Sequence, residues 1–386
     1  MSAEAVDILI AGGGPVGAAL ALALEGSGRS VVLAEARGTD SSGPRSAARG
    51  DARAIALSYS SRLIIERLQA WSQLPVTPIE TIHISQQGGF GRTVIRAADC
   101  DLSALGYVVN YTDLQQSLLA APSTAERLFG AKVAGFDGGE AIVQTAEGER
   151  VFAPRLTVFA DGARVADDND VPVYTKDYRQ TALVAWVKTE QEHNSRAWER
   201  FTPDGPLALL PHASGHALVW TSSPERSAQL AALDTAAFLF ALQTAFGERL
   251  GAFTDAGARS TFPLMLRYRR EETQPRSVSV GNAAQSLHPV AGQGFNLGLR
   301  DAWELARLVR DAREPGSAGF VDSYRRARAL DRRAGIGFTD SLVGLFSNSN
   351  ALLGLGRGAG LLALDLLPFA RRFVARRMIY GARGLP

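Results

Sequence analysis

The chain of 386 residues contains a single cysteine, Cys100, and only three lysines, Lys132, Lys176 and Lys188. One cysteine excludes an internal disulfide and fits a reducing compartment. Arginine carries nearly all the positive charge, and 41 basic against 39 acidic residues leave a net charge of +2. So small an imbalance argues against bulk nucleic-acid binding. No window of ~18 uncharged apolar residues occurs, so no transmembrane helix is expected. The start, Met1–Asp7, lacks the basic and apolar regions of a secretion signal, and a cytoplasmic location is expected. The five histidines, His83, His193, His212, His216 and His288, have no metal-ligand spacing and no cysteine pair, so no metal site is expected. Apolar residues are plentiful at 46%, which excludes a disordered chain and, at this length, suggests two or three domains.

The apolar run Val6–Ala11, a glycine cluster, the periodic stretch Val16–Leu24 and a second run, Ser30–Ala34, form a strand–turn–helix–strand unit. Ala52–Trp71 has helical spacing. Alternation in Ile79–Ala97 predicts half-buried antiparallel strands. A helix over Asp113–Ala121 precedes a meander with strands at Ala141–Thr145, Arg150–Phe152 and Leu156–Phe159. Further strands are expected at Thr181–Lys188, Leu207–Leu210, Ala217–Ser222 and Ser277–Val280. Helices are expected at Ala228–Phe246, Phe295–Val309 and from Ala318 onward.

Gly12, Gly14 and Gly17 form G-x-G-x-x-G directly between the first strand and its helix. The first glycine permits the tight turn, the second lets a pyrophosphate approach the backbone, and the third lets helix and strand pack closely. Glu35 ends the second strand, where a carboxylate accepts bonds from ribose hydroxyls and repels a 2′-phosphate. The pattern predicts a dinucleotide and leaves FAD and NAD both open.

Two other segments extend the pattern: the strand Thr157–Ala160 ending in Asp161-Gly162, and residues 280–301, where Gly281-Asn282-Ala-Ala leads through His288-Pro289 to Gly292-Gln293-Gly294-Phe295-Asn296 and a long helix. These residues resemble the class A flavoprotein monooxygenases, the family of para-hydroxybenzoate hydroxylase. The run His288–Asp301 is similar to that of the ubiquinone-biosynthesis hydroxylases. Asp51–Ser58, Leu105–Val109, Tyr178–Ala185 and Arg200–Pro211 extend the likeness over almost the whole chain. Gly281–Ala284 and the tail Phe338–Asn348 favour the UbiH-like branch, which hydroxylates 2-polyprenyl-6-methoxyphenol.

The resemblance implies an α/β fold with an α+β insert: a Rossmann-like FAD-binding domain, a mixed-sheet substrate domain as in para-hydroxybenzoate hydroxylase, and a helical C-terminal tail. Expected boundaries give the FAD domain 1–78, 112–171 and 271–316, the substrate domain 79–111 and 172–270, and the tail 317–386. FAD is implied as a tightly bound, non-covalent cofactor, with NAD(P)H as transient co-substrate and O2 as oxidant. FAD contacts are implied for Gly12, Gly14, Pro15, Val16, Gly17, Glu35, Ala36, Arg37, Arg53, Gln115 (ribityl–phosphate), Val133 (adenine), Asp161, Gly162, Gly281, Asn282, Pro289, Gly292, Gln293, Gly294, Phe295 and Asn296. Asn282 stands where most of the superfamily has an aspartate. Asn110-Tyr111-Thr112 stands where relatives often carry an arginine, which passes phosphate neutralisation to Arg45, Arg49 or Arg53. No dedicated catalytic side chain is implied, since a flavin C4a-hydroperoxide does the oxygen transfer, with His288 and Pro289 near the ring.

A polyprenylated phenol substrate and a ubiquinone-biosynthesis protein complex are the implied partners. Another flavoprotein hydroxylase or a flavin reductase is the alternative reading. A halogenase is disfavoured, because no tryptophan has another two positions away. Asp301 reads as structural, and Arg325, Arg326, Arg328, Arg332 and Arg333 as a solvated helix face. The leucine- and arginine-rich stretch 352–377 reads either as a packed helix pair or as a peripheral contact with the inner membrane.

Overall fold

A computed structural model describes residues 3–38, 53–162, 173–269, 275–288, 292–346 and 351–382. Arg45, Arg49, Arg164, Pro289 and Ala291 lie outside the described residues. The chain runs β1 (Glu4–Ala11), α1 (Pro15–Ala23), β2 (Val31–Glu35), β3 (Ala54–Ser58), α2 (Tyr59–Arg67), β4 (Thr77–Ile79), β5 (Thr81–Gln86), β6 (Arg92–Arg96), β7 (Gly106–Asn110) and α3 (Tyr111–Ala120). Strands β8 (Glu126–Phe129), β9 (Lys132–Asp137), β10 (Glu140–Thr145) and β11 (Gly148–Phe159) follow. Next come β12 (Val173–Thr189), β13 (Arg196–Thr202), β14 (Gly205–His212), β15 (Gly215–Ser222), α4 (Pro224–Ala232), α5 (Thr235–Phe246), β16 (Phe253–Ala256) and β17 (Ser260–Arg269). The last elements are β18 (Ser277–Ser279), β19 (Gln285–Ser286), α6 (Gln293–Asp311), α7 (Ala318–Phe346), α8 (Ala351–Leu366) and α9 (Pro368–Tyr380).

The first sheet is ordered β8-β2-β1-β11-β10-β9, with β18 also on β11. Strands β8, β2, β1, β11 and β18 run parallel, and the near-continuous apolar runs of β1 and β2 follow from burial on both faces. Helix α1 is buried over almost its whole length and packs with α6 on this sheet. A second sheet, β19-β17-β12-β15-β14-β13-β5-β6 with β16 on β12, is antiparallel except where β5 joins β13 in parallel. One of its faces packs Leu183, Trp198, Leu209 and Trp220 on Phe238, Leu242 and Phe246 of α5. Its other face turns toward a small sheet, β3-β7-β4, and toward α7.

Strand β6 ends the second sheet, and an open edge of that kind invites pairing unless it is covered. Helix α8 covers it. The Val94 N–H donates to Asp365 Oδ1 at 3.1 Å, and the Thr93 hydroxyl donates to the Leu361 carbonyl. The contact needs glycine on both sides: a Cβ on Gly91 would lie 2.2 Å from the Gly358 oxygen, and one on Gly358 would lie 2.7 Å from the Phe90 oxygen. Arg371 then pairs with Asp99 at 3.1 Å and ties α9 to the same region.

Several local expectations change. Ala52–Trp71 divides into β3 and α2, because β3 pairs with β7 before Ser58 caps the helix. Ala228–Phe246 is two helices, broken where Leu233 turns extended and Asp234 caps α5. Segment 79–111 sends β5 and β6 to the large sheet but β7 to the small one. The arginine face of α7 is not wholly solvated. Arg328 is 5% exposed, its Nε 2.7 Å from Asp301 Oδ1 and its Nη1 2.8 Å from Asp331. Arg332 donates to the Ser279 carbonyl. Arg325 stays at the surface, paired with Asp322 at 3.7 Å.

Candidate active site

Strand β1 delivers the chain to Gly12, whose φ of +111° suits glycine. A Cβ there would sit 2.6 Å from the backbone of Ala160 and Asp161, and one at Gly17 would sit 1.9 Å from the Gly12 oxygen. Both glycines are therefore dictated by close backbone approach, as the motif reading requires. Gly14 opens α1 with Pro15 and Val16 behind it and no side-chain cap. Helices α2, α4 and α5 are capped by Ser58, Ser223 and Asp234, whereas α3 and α9, like α1, have no side-chain cap. Uncapped N–H groups at a helix start suit an anion, here a phosphate.

The carboxylate of Glu35 accepts from the Gly13 N–H at 2.5 Å and from the Arg37 N–H at 2.9 Å, on either side of Ala36. Two of its roughly four acceptor positions are used, which leaves capacity for sugar hydroxyls. Gln115 donates from Nε2 to the Gly13 carbonyl at 3.2 Å and anchors α3 to the same turn. The Tyr111 hydroxyl lies 3.5 Å from where a Gly14 Cβ would be. It supplies a polar group at the expected phosphate position, where the sequence lacks the usual arginine. Arg53 stacks on Tyr111 at 5.2 Å and on Phe262 at 5.5 Å, so its exposed guanidinium is held beside the same cradle. Val133 packs where β9 meets Ala11 and Phe159.

At the same carboxyl end of β1 and β11, Asp161, Gly162 and Asn282 are exposed, and Gly162 (φ +67°) lies beside the Asn282 Cβ. Gly281 turns the chain at φ +61° against Val16. A Cβ on Gly298 would come within 2.8 Å of the Gly281 Cα, so α6 needs glycine there to pack this close; the sequence reading missed this position, as it missed Gly13 and Tyr111. Like α1, α6 starts at a glycine without a cap, Gly292 at φ +59°, followed by Gln293, Gly294 and Phe295. Among the described residues no atom lies within 4 Å of where a Gly294 Cβ would be.

The Asn296 side chain is engaged within the protein. Its Oδ1 accepts from the Ser58 N–H at 2.8 Å and the Ser61 hydroxyl at 2.7 Å, and its Nδ2 donates to the carbonyls of Ala56 and Gly292. All four bonding positions are thus used inside the protein. They clamp β3 and α2 to the start of α6.

His288 is 1% exposed and meets the Tyr178 ring edge-on at 5.3 Å. Burial pushes its imidazole down to about 4, so it is neutral at pH 7. Asp340 accepts from the Tyr178 hydroxyl at 3.1 Å. Burial, reinforced by that carboxylate, raises the pKa of the Tyr178 hydroxyl. A narrow cleft of about 70 Å³ opens beside Gln293 and Asn296. It is walled by apolar side chains of β5, β6 and α9, including Ile82, Ile95, Ala375, Met378 and Ile379, and by Leu105 just before β7. Among the described residues no group of histidine, cysteine or acidic side chains could hold a metal ion.

This arrangement suits FAD: the uncapped start of α1 carries a glycine cradle, the uncapped start of α6 follows a glycine, and Glu35 keeps acceptor capacity for hydroxyls. Bound there, FAD supplies the redox and oxygen-transfer chemistry that no protein side chain can. A family profile described as FAD binding domain matches residues 117–336. The ubiquinone hydroxylase UbiL of Rhodospirillum rubrum is 34% identical, covering 97% of this chain and 90% of its own. The 3-demethoxyubiquinol 3-hydroxylase of Escherichia coli is 32% identical over 95% and 96%. Among solved structures, p-nitrophenol 4-monooxygenase PnpA of Pseudomonas putida superimposes with a TM-score of 0.75 at 16% identity, covering 98% of this chain and 99% of that one. HpxO of Klebsiella pneumoniae, solved with FAD, gives 0.74 at 15% identity, covering 99% of each. The chain belongs to the FAD-dependent monooxygenases, among the ubiquinone-biosynthesis hydroxylases, and FAD is its cofactor.

Proposed function

We propose that this enzyme uses FAD, NAD(P)H and O2 to hydroxylate a polyprenylated methoxyphenol in ubiquinone biosynthesis. The observation that carries the reading is the apolar cleft beside the start of α6. A phenol ring placed at Gln293 would have somewhere dry for the first part of an isoprenoid tail, in a chain alignable end to end with ubiquinone hydroxylases. In this reading the α1 start and Tyr111 hold the pyrophosphate, Glu35 the ribose, and Val133 the adenine side. Gln115 and Asn282 meet the ribityl chain. The N–H groups of Gly292–Gly294 stabilise negative charge on the reduced ring, worth ~0.3–2 kcal/mol at a helix start. Arg53 and Asp161-Gly162 lie where the nicotinamide nucleotide would arrive. Buried neutral His288 positions its loop against Tyr178 rather than moving protons. Adding a short-chain 2-prenyl-6-methoxyphenol should stimulate NAD(P)H oxidation by the purified protein. Stimulation by phenols lacking any tail, and none by the prenylated one, would favour another aromatic hydroxylase.

The substrate's tail also bears on location. No helix among the described residues is long and apolar enough to cross a membrane. Yet the outer side of α8 and α9 exposes Leu355, Leu366, Phe369 (72%) and Phe373 (60%), beside Arg372, Arg376 and Arg377. Apolar residues flanked by arginines suit the headgroup region of an anionic bilayer. Within this proposal α8–α9 rests on the membrane surface while its inner side packs on β6. Each phenylalanine ring contributes roughly 1.5–3 kcal/mol when fully buried. Phe369→Ser with Phe373→Ser should therefore weaken binding to anionic vesicles at least ~10-fold, as measured by co-sedimentation. Unchanged sedimentation would remove the membrane reading and leave a cytoplasmic enzyme or a protein complex to deliver the substrate.

A further inference from the structure

We propose that Glu199 is a further catalytic residue, whose carboxylate accepts the phenolic proton of the substrate during hydroxylation. This rests on the hydroxylase reading above. Side chains alternate along β13, so Ala197, Glu199 and Phe201 share one face and Trp198 and Arg200 the other. The Trp198 face is accounted for: its ring packs on Phe246 of α5 at 5.6 Å, and Arg200 donates to the Ala245 carbonyl at 3.1 Å. Glu199 therefore points the opposite way, toward the FAD-binding unit.

The neighbours on that face locate it. Ala197 lies in one cluster with Ala54, Ala56, Ile82 and Leu210, and Ala56 is bonded by Asn296 at the start of α6. A Gly292 Cβ would lie 3.2 Å from the Ala56 Cβ. On the other side Phe201 packs with Ile84, Val343 and Tyr178, and Tyr178 meets His288. Glu199 thus stands between two patches that both abut the residues flanking the expected flavin ring, each patch about 7 Å along the strand. Its partners in register, Ala208 and Ile84, are apolar.

The carboxyl has no hydrogen bond or ion pair among the described residues. The side chain is half-buried, on the face of β13 that turns away from α5. A carboxylate in such a place is costly unless a donor arrives with a ligand. Burial alone lifts it to about 7, with no neighbouring charge contributing. The titratable groups toward this side include Tyr178, engaged by Asp340 beside Lys176, neutral His288, and His212, which shares the Ala208 and Leu210 face of β14 and has Asp113 near it. Arg200 and Arg249 lie on the far face at Ser85.

A phenol of ordinary acidity, near 10, is a poor nucleophile at carbon until its oxygen gives up or shares the proton. In the proposed step the phenolic O–H bond breaks and a carboxyl O–H bond forms. The electron pair stays on the phenol oxygen and enriches the ring. No oxidant is consumed in this transfer. A base that titrates near the working pH is best matched to it.

The test compares the wild-type, Glu199→Gln and Glu199→Asp proteins, each FAD-loaded, with a short-chain 2-prenyl-6-methoxyphenol from pH 6 to 9. Folding raises this acid above its unfolded value, so its stabilising effect is complete below the unfolded pKa and is lost as pH rises through about 7. Glu199→Gln removes that loss, so it should fold and hold FAD at alkaline pH. Wild-type kcat for product should rise through an acid limb centred near 7. In Glu199→Gln, kcat should fall ~100-fold or more with KM little changed and the limb gone. Glu199→Asp should restore part of both. A Glu199→Gln protein that hydroxylates at the wild-type rate with the limb intact overturns the proposal and leaves the hydroxylase reading standing. A wild-type protein that forms no hydroxylated phenol overturns the hydroxylase reading and this step with it.

Discussion

Gly17→Ala is expected to yield protein that folds but binds FAD ~10–100-fold more weakly. Any Cβ at this position would lie 1.9 Å from the Gly12 carbonyl oxygen and 3.2 Å from the Ala160 side chain. The obstacle is backbone, so the α1 start must move away from the end of β1, and that is where the pyrophosphate would bind. Local backbone strain of about 1–3 kcal/mol is the scale of such a shift, and each 1.4 kcal/mol is tenfold in affinity. Titrating apoprotein with FAD, followed by flavin fluorescence, measures the effect directly. Gly319→Ala is the control, since nothing lies within 4 Å of a Cβ there and the position is helical. Equal affinity in Gly17→Ala and wild type would mean that FAD does not bind at the α1 start.

Asp301→Ala should be the most destabilising substitution in the α6–α7 interface. Asp301 is fully buried and accepts from Arg328 at 2.7 Å, from Gln285 Nε2 at 2.7 Å and from the Gly281 N–H at 3.2 Å. Removing it leaves the Nε of buried Arg328 without its carboxylate, while Nη1 keeps Asp331. Breaking a buried pair by removing one partner typically costs about 3–5 kcal/mol. It also frees the Gly281 turn, so FAD affinity should fall together with the denaturation midpoint. The network continues through Asp331 to Arg300 and to the N–H of Ala382, which fastens the C-terminus. Burial pushes the Asp331 carboxyl up, but Arg300 and Arg328 outweigh it and hold it below its usual value. That contribution is present above the unfolded pKa and is lost as pH falls, so acid should loosen the tail first. A midpoint within experimental error of wild type would contradict the assigned role of the pair.

The nucleotide end of the molecule was readable because each of its features is local. Gly12, Gly14 and Gly17 act within one turn of chain, and Glu35 closes the same unit, so the motif carries its own geometry. The specific run His288–Asp301 similarly pointed to one family, although Pro289 itself lies outside the described residues. What was not readable depends on distant packing. Arg328 has the spacing of a solvated face, and only the arrival of Asp301 from α6 explains its burial. Asn296 sits inside the family motif, but its bonds go to Ser58, Ser61 and Ala56, which are remote in sequence. Strands β9 and β17 were passed over because turn residues and charges interrupt their alternation; pairing with β10 and β12 decides them. Glu199 gave no signal, since a glutamate in a half-buried strand normally faces water. Only the sheet topology shows that its side of β13 faces inward.

The most direct test of the whole account is a single turnover under isotopically labelled dioxygen. Purified, FAD-loaded protein is mixed with NAD(P)H and a short-chain 2-prenyl-6-methoxyphenol, and the product is analysed by mass spectrometry. One labelled oxygen atom should enter the phenol for each NAD(P)H consumed. NAD(P)H oxidation that leaves the phenol unlabelled, with all the label recovered in hydrogen peroxide or water, would contradict it.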